Sequence, residues 1–162
     1  MRLKDLRDGG GVKRWHTVQN INDQTVAAHS WGVAVICCEL WPNAGTSLIR
    51  AALYHDIPEA LTGDVPATAK WNYPELAKAL DEVEAGIEKE LGLIVFLTEE
   101  NKLKLKIADI MELLWFALEE MRLGNSNFKV IFSRGLAYMD TLKLDDVSKE
   151  MIYDLVQMEK EL

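Results

Sequence analysis

The chain is poor in cysteine, histidine and basic charge, and it has no long uninterrupted apolar run. Its two cysteines, Cys37 and Cys38, are neighbours among 162 residues. Adjacent residues on a helix point in different directions and cannot easily close a disulfide, so both read as small core residues of a protein in a reducing compartment. No segment approaches the roughly 18 apolar residues of a membrane span, and the opening MRLKDLRDGGG has no apolar h-region. The expected location is the cytoplasm. Lys and Arg number 18 against 26 Asp and Glu, a formal net charge of -8. That balance argues against a nucleic-acid duplex and an anionic membrane as partners, because both reward a basic face. An anionic small substrate would need a local basic cluster. Period-two alternation with flanking turns is absent as well, so no sheet is expected, and there is no internal repeat or low-complexity segment.

What is present is a globular, helical pattern. Hydrophobic residues make up 49% and charged residues 27%, ordinary values for a folded chain whose length suits one domain, 1–162, with one core. A short helix is expected over 2–7, stopped by Gly9-Gly10-Gly11, and an ordered loop over 12–24. The stretch 25–41 is so densely apolar that its helix should be buried on most sides, with His29 inside it. A further buried helix over 47–54 delivers His55 and Asp56. Pro58 fits a first helical position, so Glu59 opens a new short helix that Gly63-Asp64-Val65-Pro66 breaks. Leu76, Leu80, Val83, Ile87 and Leu91 recur at helical spacing and mark an amphipathic scaffold helix. Thr98-Glu99-Glu100 reads as the start of a long helix over 101–123, closed by Gly124, with Asp109 on the inward face beside Leu105, Leu113 and Phe116. Two more helices follow, over 128–142 and along Val147, Met151, Leu155, Met158 and Leu162.

The run from His55 to Asp64, HDIPEALTGD, concentrates the chemistry. An imidazole and a carboxylate at the end of a buried helix must be compensated, either by each other and the backbone or by a divalent metal. The chain has only three histidines, His16, His29 and His55, and two lie in or at the end of buried helices. With Asp56 and Asp109 they could form the kind of inward-facing ligand set that helical folds use for metals. Two imidazoles and two carboxylates are neither the thiolate set of structural zinc nor the all-oxygen set of calcium. They suit Mn, Co, Fe, Ni or Zn, with positions left for water and a substrate oxygen, and the natural reaction is hydrolysis of a phosphate ester.

The order His29, His55-Asp56, Asp109 resembles the H...HD...D signature of the HD-domain metal-dependent phosphohydrolases. RWHTV at 14–18, VAAHSW at 26–31 and HDIPEALTGDVPATAK at 55–70 are more specific. They resemble the short HD proteins that include bacterial 5'-deoxynucleotidases and phage dATP triphosphohydrolases. The resemblance covers about residues 12 to 115. It implies an all-α HD-domain bundle with His29, His55, Asp56 and Asp109 as metal ligands. Glu59 would orient or activate the attacking water, or pass a proton to the leaving oxygen. Asp64 would lie close to the metal and its waters, or serve only as a turn aspartate. Arg14, as a fork, and Lys70, as a point charge, are candidates for phosphate contacts. Trp15 would line the nucleoside pocket. Trp71, Tyr73 and the Trp115-Phe116 pair fit core or rim equally.

The expected activity is metal-dependent hydrolysis of a small 2'-deoxynucleotide, foremost dATP to deoxyadenosine and triphosphate. His16, where the bacterial deoxynucleotidases carry proline, points to the phage-like members and to the host cytoplasm. The alternatives are a 5'-deoxynucleotidase acting on monophosphates and a non-catalytic nucleotide-sensing or oligomerisation module. The resemblance also implies a transition metal, with room for Mg at a second, substrate-phosphate site, and a homo-oligomer, dimeric or higher, such as a hexamer.

Overall fold

The computed structural model describes residues 2–162, with the side chains of Arg2 and Trp71 outside the description. Nine helices follow one another among the described residues: α1 Arg2–Gly10, α2 Val26–Leu40, α3 Thr46–Tyr54, α4 Glu59–Thr62, α5 Ala67–Asn72, α6 Pro74–Leu91, α7 Glu99–Arg122, α8 Phe128–Met139 and α9 Asp146–Lys160. The chain is all-α, as the helical periodicity predicts. The one bridge among the described residues outside helices joins Lys13 to Thr25. None of the described helices is long and apolar enough to cross a membrane.

The longest helix, α7, is the spine, and α2, α3, α8 and α9 all pack on it. Thr98 caps its start by accepting from the Asn101 amide, and its inward stripe includes Ile107, Met111, Leu114 and Leu118. Val33 and Cys37 from α2, Leu48 and Ala52 from α3 and Phe128 from α8 complete that core. Each of the larger of these side chains, the Val, Leu, Ile, Met and Phe, contributes roughly 1.5–3 kcal/mol of apolar transfer. Thr25 caps α2 in the same way, accepting from Ala28 N, so the two helices that carry His29 and Asp109 both have defined starts.

Several local expectations are corrected. α1 runs through Gly9 and Gly10 instead of stopping before them. A Cβ at Gly9 would stand 2.7 Å from the Ile57 carbonyl, so glycine serves close packing of α1 on the HD turn rather than a break. Pro58 is the cap before α4, not its first residue. A helix over 67–72 exists where none was expected, closed at Tyr73 because Pro74 follows. α2 is not buried on most sides, since Trp31 and Val35 face outward. Cys38 is exposed and only Cys37 is core. The stripe of α6 buries Ile87 but leaves Leu76 and Val83 exposed. α4 and α5 lie against it, and at about 1.5 Å per residue they are too short to cover its length. Phe116 belongs to the core, Tyr73 and Trp115 to the surface, and the Trp71 side chain lies outside the described residues.

The loop over 12–24 is fixed by a buried carboxylate. Glu120, with no exposed surface, accepts from Ile21 N, Asn22 N and Asn125 Nδ2, each at 2.7 Å. Glu120→Leu strands those backbone donors, and the expected loss is about 2–4 kcal/mol, with a fall in thermal midpoint of several degrees by circular dichroism.

Candidate active site

α2 supplies His29, the turn after α3 supplies His55 and Asp56, and α7 supplies Asp109. His29 Nε2 stands 3.4 Å from Asp56 Oδ2 and 3.3 Å from Asp109 Oδ1. His55 Nε2 is 3.4 Å from Asp56 Oδ1. Ligand atoms of His29, His55 and Asp109 all lie within 4.8 Å of one another. Each imidazole is oriented from its other side. His55 Nδ1 bonds the Ala52 carbonyl at 2.8 Å, and His29 Nδ1 bonds the Glu112 carboxylate. Both Nε2 atoms are buried without a hydrogen-bond partner. Atoms about 2.1 Å from a shared tetrahedral ion stand roughly 3.4 Å apart, so His29, His55 and Asp109 are grouped closely enough to hold a divalent metal, with Asp56 bordering both histidines.

Burial works to raise the carboxyls of Asp56, Asp109 and Glu59, and the neighbours then divide them. Against burial, His55, Arg14 and His29 hold Asp56 below its usual range. Lys106 and the two histidines hold Asp109 well below it, also against burial. Lys106 Nζ is 2.9 Å from Asp109 Oδ2. Glu59 goes the other way. It is 4% exposed, and burial, Asp56 and Asp64 push its carboxyl up to about 9 over the opposition of Arg14 and Lys70. Its Oε2 is buried and unpartnered. For His29, burial and Arg14 disfavour the charge, but Asp109, Glu112 and Asp56 outweigh them and lift it to about 9.

The remaining candidates border these groups. Arg14 Nη1 donates to Asp56 Oδ2 at 2.7 Å, and its Nε is buried with no partner. Trp15 has φ of 62°, left-handed backbone that a bulky residue seldom adopts. Asp64 Oδ2 accepts from Trp15 N at 3.1 Å and stabilises that conformation. Arg14, Trp15, Asp64 and Thr68 help to line a small cavity of about 60 Å³ floored by Leu113 and Ile131. Lys70, half-buried at the end of α5, faces Glu59 and Glu84 and opposes their rise. His16 is exposed, 4.0 Å from Asp64, and lies outside the ligand set.

The model of the YfbR-like 5'-deoxynucleotidases matches residues 3–153. The chain belongs to this family. A dATP triphosphohydrolase of Salmonella phage PMBT28 is 31% identical over 137 residues, 74% of this chain and 67% of the relative. A 5'-deoxynucleotidase of Vibrio parahaemolyticus is 29% identical over 168 residues, 89% and 84% of the two chains. Among solved structures, the HD phosphohydrolase of cyanophage S-2L bound to dA and one catalytic Zn2+ superposes with a TM-score of 0.74 at 23% identity, covering 98% of this chain and 96% of that one. An HD-domain phosphohydrolase from Listeria innocua gives 0.73 at 25% identity, covering 98% and 90%.

Within this YfbR-like frame, sequence reading alone missed Gln24, Lys106, Glu112 and Glu120. A signal existed for Glu112, three residues beyond Asp109 on the same helical face, inside the apolar run MELLWFALEEM. Gln24 left none, since a glutamine before a cap residue is ordinary.

Protonation gives a direct check. Histidine titrates near 6.5 in the unfolded chain and about 9 in the metal-free fold. The proton therefore stabilises the fold fully below pH 6.5, on the order of 3 kcal/mol, and this is lost as pH rises through about 9. Glu59 slopes the same way, from 4.5 to about 9. Thermal midpoints of EDTA-treated protein should fall steadily from pH 7 to 10; constant midpoints would contradict the assignment.

Proposed function

We propose that this YfbR-like chain, working as one HD-domain unit over 1–162, hydrolyses small 2'-deoxynucleotides. In this reading its divalent transition metal is held by His29, His55, Asp56 and Asp109, and its preferred reaction converts dATP to deoxyadenosine and triphosphate. The observation that carries the reading is the pair of buried, unpartnered Nε2 atoms of His29 and His55 among carboxylate oxygens. A Zn, Mn, Co, Fe or Ni ion supplies Lewis acidity there, acidifying water and offsetting phosphoryl charge. All four ligand residues are present, which weighs against a purely sensing or scaffolding role. Outward-facing Trp31, Val35, Val83 and Phe96 leave apolar surface for a homo-oligomer.

The chain's other residues account for the rest of the reaction. A water oxygen bonds to the α-phosphorus and loses a proton, the bond from that phosphorus to the 5'-oxygen breaks, and the leaving oxygen takes up a proton. Glu59, pushed up to about 9 in the metal-free fold by burial, Asp56 and Asp64, is the group that gives that oxygen its proton and regains one from the attacking water. Arg14, with an unpartnered buried Nε, and Lys70 hold phosphate oxygens against the acidic surroundings. Trp15 packs on the nucleoside, and Asp64 holds the Trp15 backbone in place. The dATP preference draws on the phage relative. Action on deoxyribonucleoside monophosphates is the second reading, favoured by the family model and the Vibrio relative.

Incubating the metal-loaded protein with dATP and with each monophosphate separates the two. Deoxyadenosine with inorganic triphosphate is the expected product pair; orthophosphate from monophosphates alone would establish the second reading. Asp109→Ala should abolish turnover while the circular dichroism stays helical, and unchanged turnover would refute the site. Glu59→Gln should lower kcat by roughly 10²–10⁴-fold with metal still bound.

A further inference from the structure

Gln24 and Glu112 have no part in the reaction above, yet both are buried beside it, 5% and 8% exposed. Their bonds form one directed chain. Trp15 Nε1 donates to Gln24 Oε1 at 2.7 Å. Gln24 Nε2 donates to Glu112 Oε1 at 2.7 Å. The other Glu112 oxygen bonds His29 Nδ1. The indole N–H can only donate and the carboxylate can only accept, so both ends fix the glutamine amide in this orientation. The carboxylate in turn requires a hydrogen on His29 Nδ1, which leaves Nε2 as the ring nitrogen that can give up its hydrogen to a metal.

The surrounding structure is shaped to admit the chain. The Glu112 side chain crosses α2 at Gly32, where an added Cβ would stand 2.8 Å from Glu112 Cγ. The Trp15 ring stacks on Phe116 with centroids 5.6 Å apart and an interplanar angle of 7°, and it meets Phe128 edge-on at 5.2 Å.

We propose that Gln24 and Glu112 are positioning residues that couple the Trp15 indole to the tautomer of His29, so that the nucleoside wall and the metal ligand are set by one run of hydrogen bonds. The inference rests on the reading of His29 as a metal ligand. Its chemistry makes a specific demand at position 112. Two donors, His29 Nδ1–H and the Gln24 amide, converge there, and an amide has only one acceptor to offer them. Glu112→Gln must therefore either move the His29 hydrogen to Nε2, blocking the metal, or flip Gln24 and set its NH2 against the Trp15 N–H. Exchanging the two groups in Gln24→Glu/Glu112→Gln removes the conflict. The carboxylate at 24 then accepts from Trp15 and from the new amide, whose oxygen accepts from His29.

The test is the Zn2+ affinity of EDTA-stripped protein, read without substrate by competition with a chromophoric chelator. Glu112→Gln alone is expected to weaken Zn2+ roughly 10–100-fold, and the double exchange to bring affinity back near the unsubstituted level. Equal affinity in Glu112→Gln, or a double exchange no better than the single one, overturns the proposal. Failure of the unsubstituted protein to bind Zn2+ would instead overturn the ligand assignment beneath it. If Glu112→Gln does not fold, Gln24→Met breaks the chain one step earlier. In a 15N spectrum Zn2+ should shift the Trp15 indole resonance of the unsubstituted protein and leave it nearly still in Gln24→Met. An equal shift in both would also overturn the coupling.

Discussion

A carboxylate shut in with an imidazole sets the terms for this fold. Glu112 and His29 face each other between α7 and α2, where His29 has no solvent exposure. A buried ionisable group is tolerated only when it is paired and its remaining polar atoms are satisfied, and losing one partner of such a pair costs about 3–5 kcal/mol. The pairing needs α2 close to α7, which Gly32 permits. It turns His29 Nε2 toward the HD turn, and it needs a further donor, supplied by Gln24 from the loop in front. The approach of the two main helices, the seat of Gln24 and the direction of the first histidine therefore follow from one contact.

The same economy of charge divides the carboxyl groups by role. Left to burial, Asp56, Glu59 and Asp109 would all rise. His55 and Arg14 hold Asp56 ionised and Lys106 holds Asp109 ionised, each against burial, whereas Glu59 sits beside Asp56 and Asp64 and keeps its proton. Two carboxyls pushed one way and one the other is the division that the proposed roles of ligand and proton carrier require. The basic groups are few, in keeping with the acidic chain, and those near the site sit against acids. Arg14, the proposed phosphate contact, is thus already oriented by Asp56.

How much of this was legible in the sequence follows from the range of the interactions. That His29, His55, Asp56 and Asp109 converge was legible because their types and order are chemically restrictive, and the helices bearing them were legible because caps and apolar spacing are local signals. Asp109 could be placed on an inward face from periodicity alone. Gln24 was not found, because its hydrogen bond to Glu112, 88 positions away, leaves no trace in local pattern, whereas Lys106 and Glu112 each lie three residues from Asp109 on α7, a spacing that is also common on ordinary helix faces. The exposed stripe of α6 misled for a related reason. Periodicity shows that a face is apolar, but whether anything covers it depends on the lengths of other elements, here the short α4 and α5. Gly9 and Gly10 read as a break because glycine that permits close packing and glycine that permits a turn look alike in sequence.

The strained residue in the loop links these threads. A φ of 62° at Trp15 costs on the order of 1–3 kcal/mol for a side chain of this size. It persists because the backbone N–H is held by Asp64, the indole N–H by Gln24, and the ring between Phe116 and Phe128. The return is directional. With that kink, adjacent residues serve different ends, Arg14 turning to Asp56 at the metal ligands and Trp15 to Gln24, while both also border the small cavity. An extended backbone would also send neighbouring side chains apart, but it would not place the Trp15 amide on Asp64. Glycine at 15 would relieve the strain and remove the wall. The strain is thus the local cost of setting the proposed phosphate and nucleoside contacts one residue apart, with Arg14 bonded to Asp56 and Trp15 to both Asp64 and Gln24.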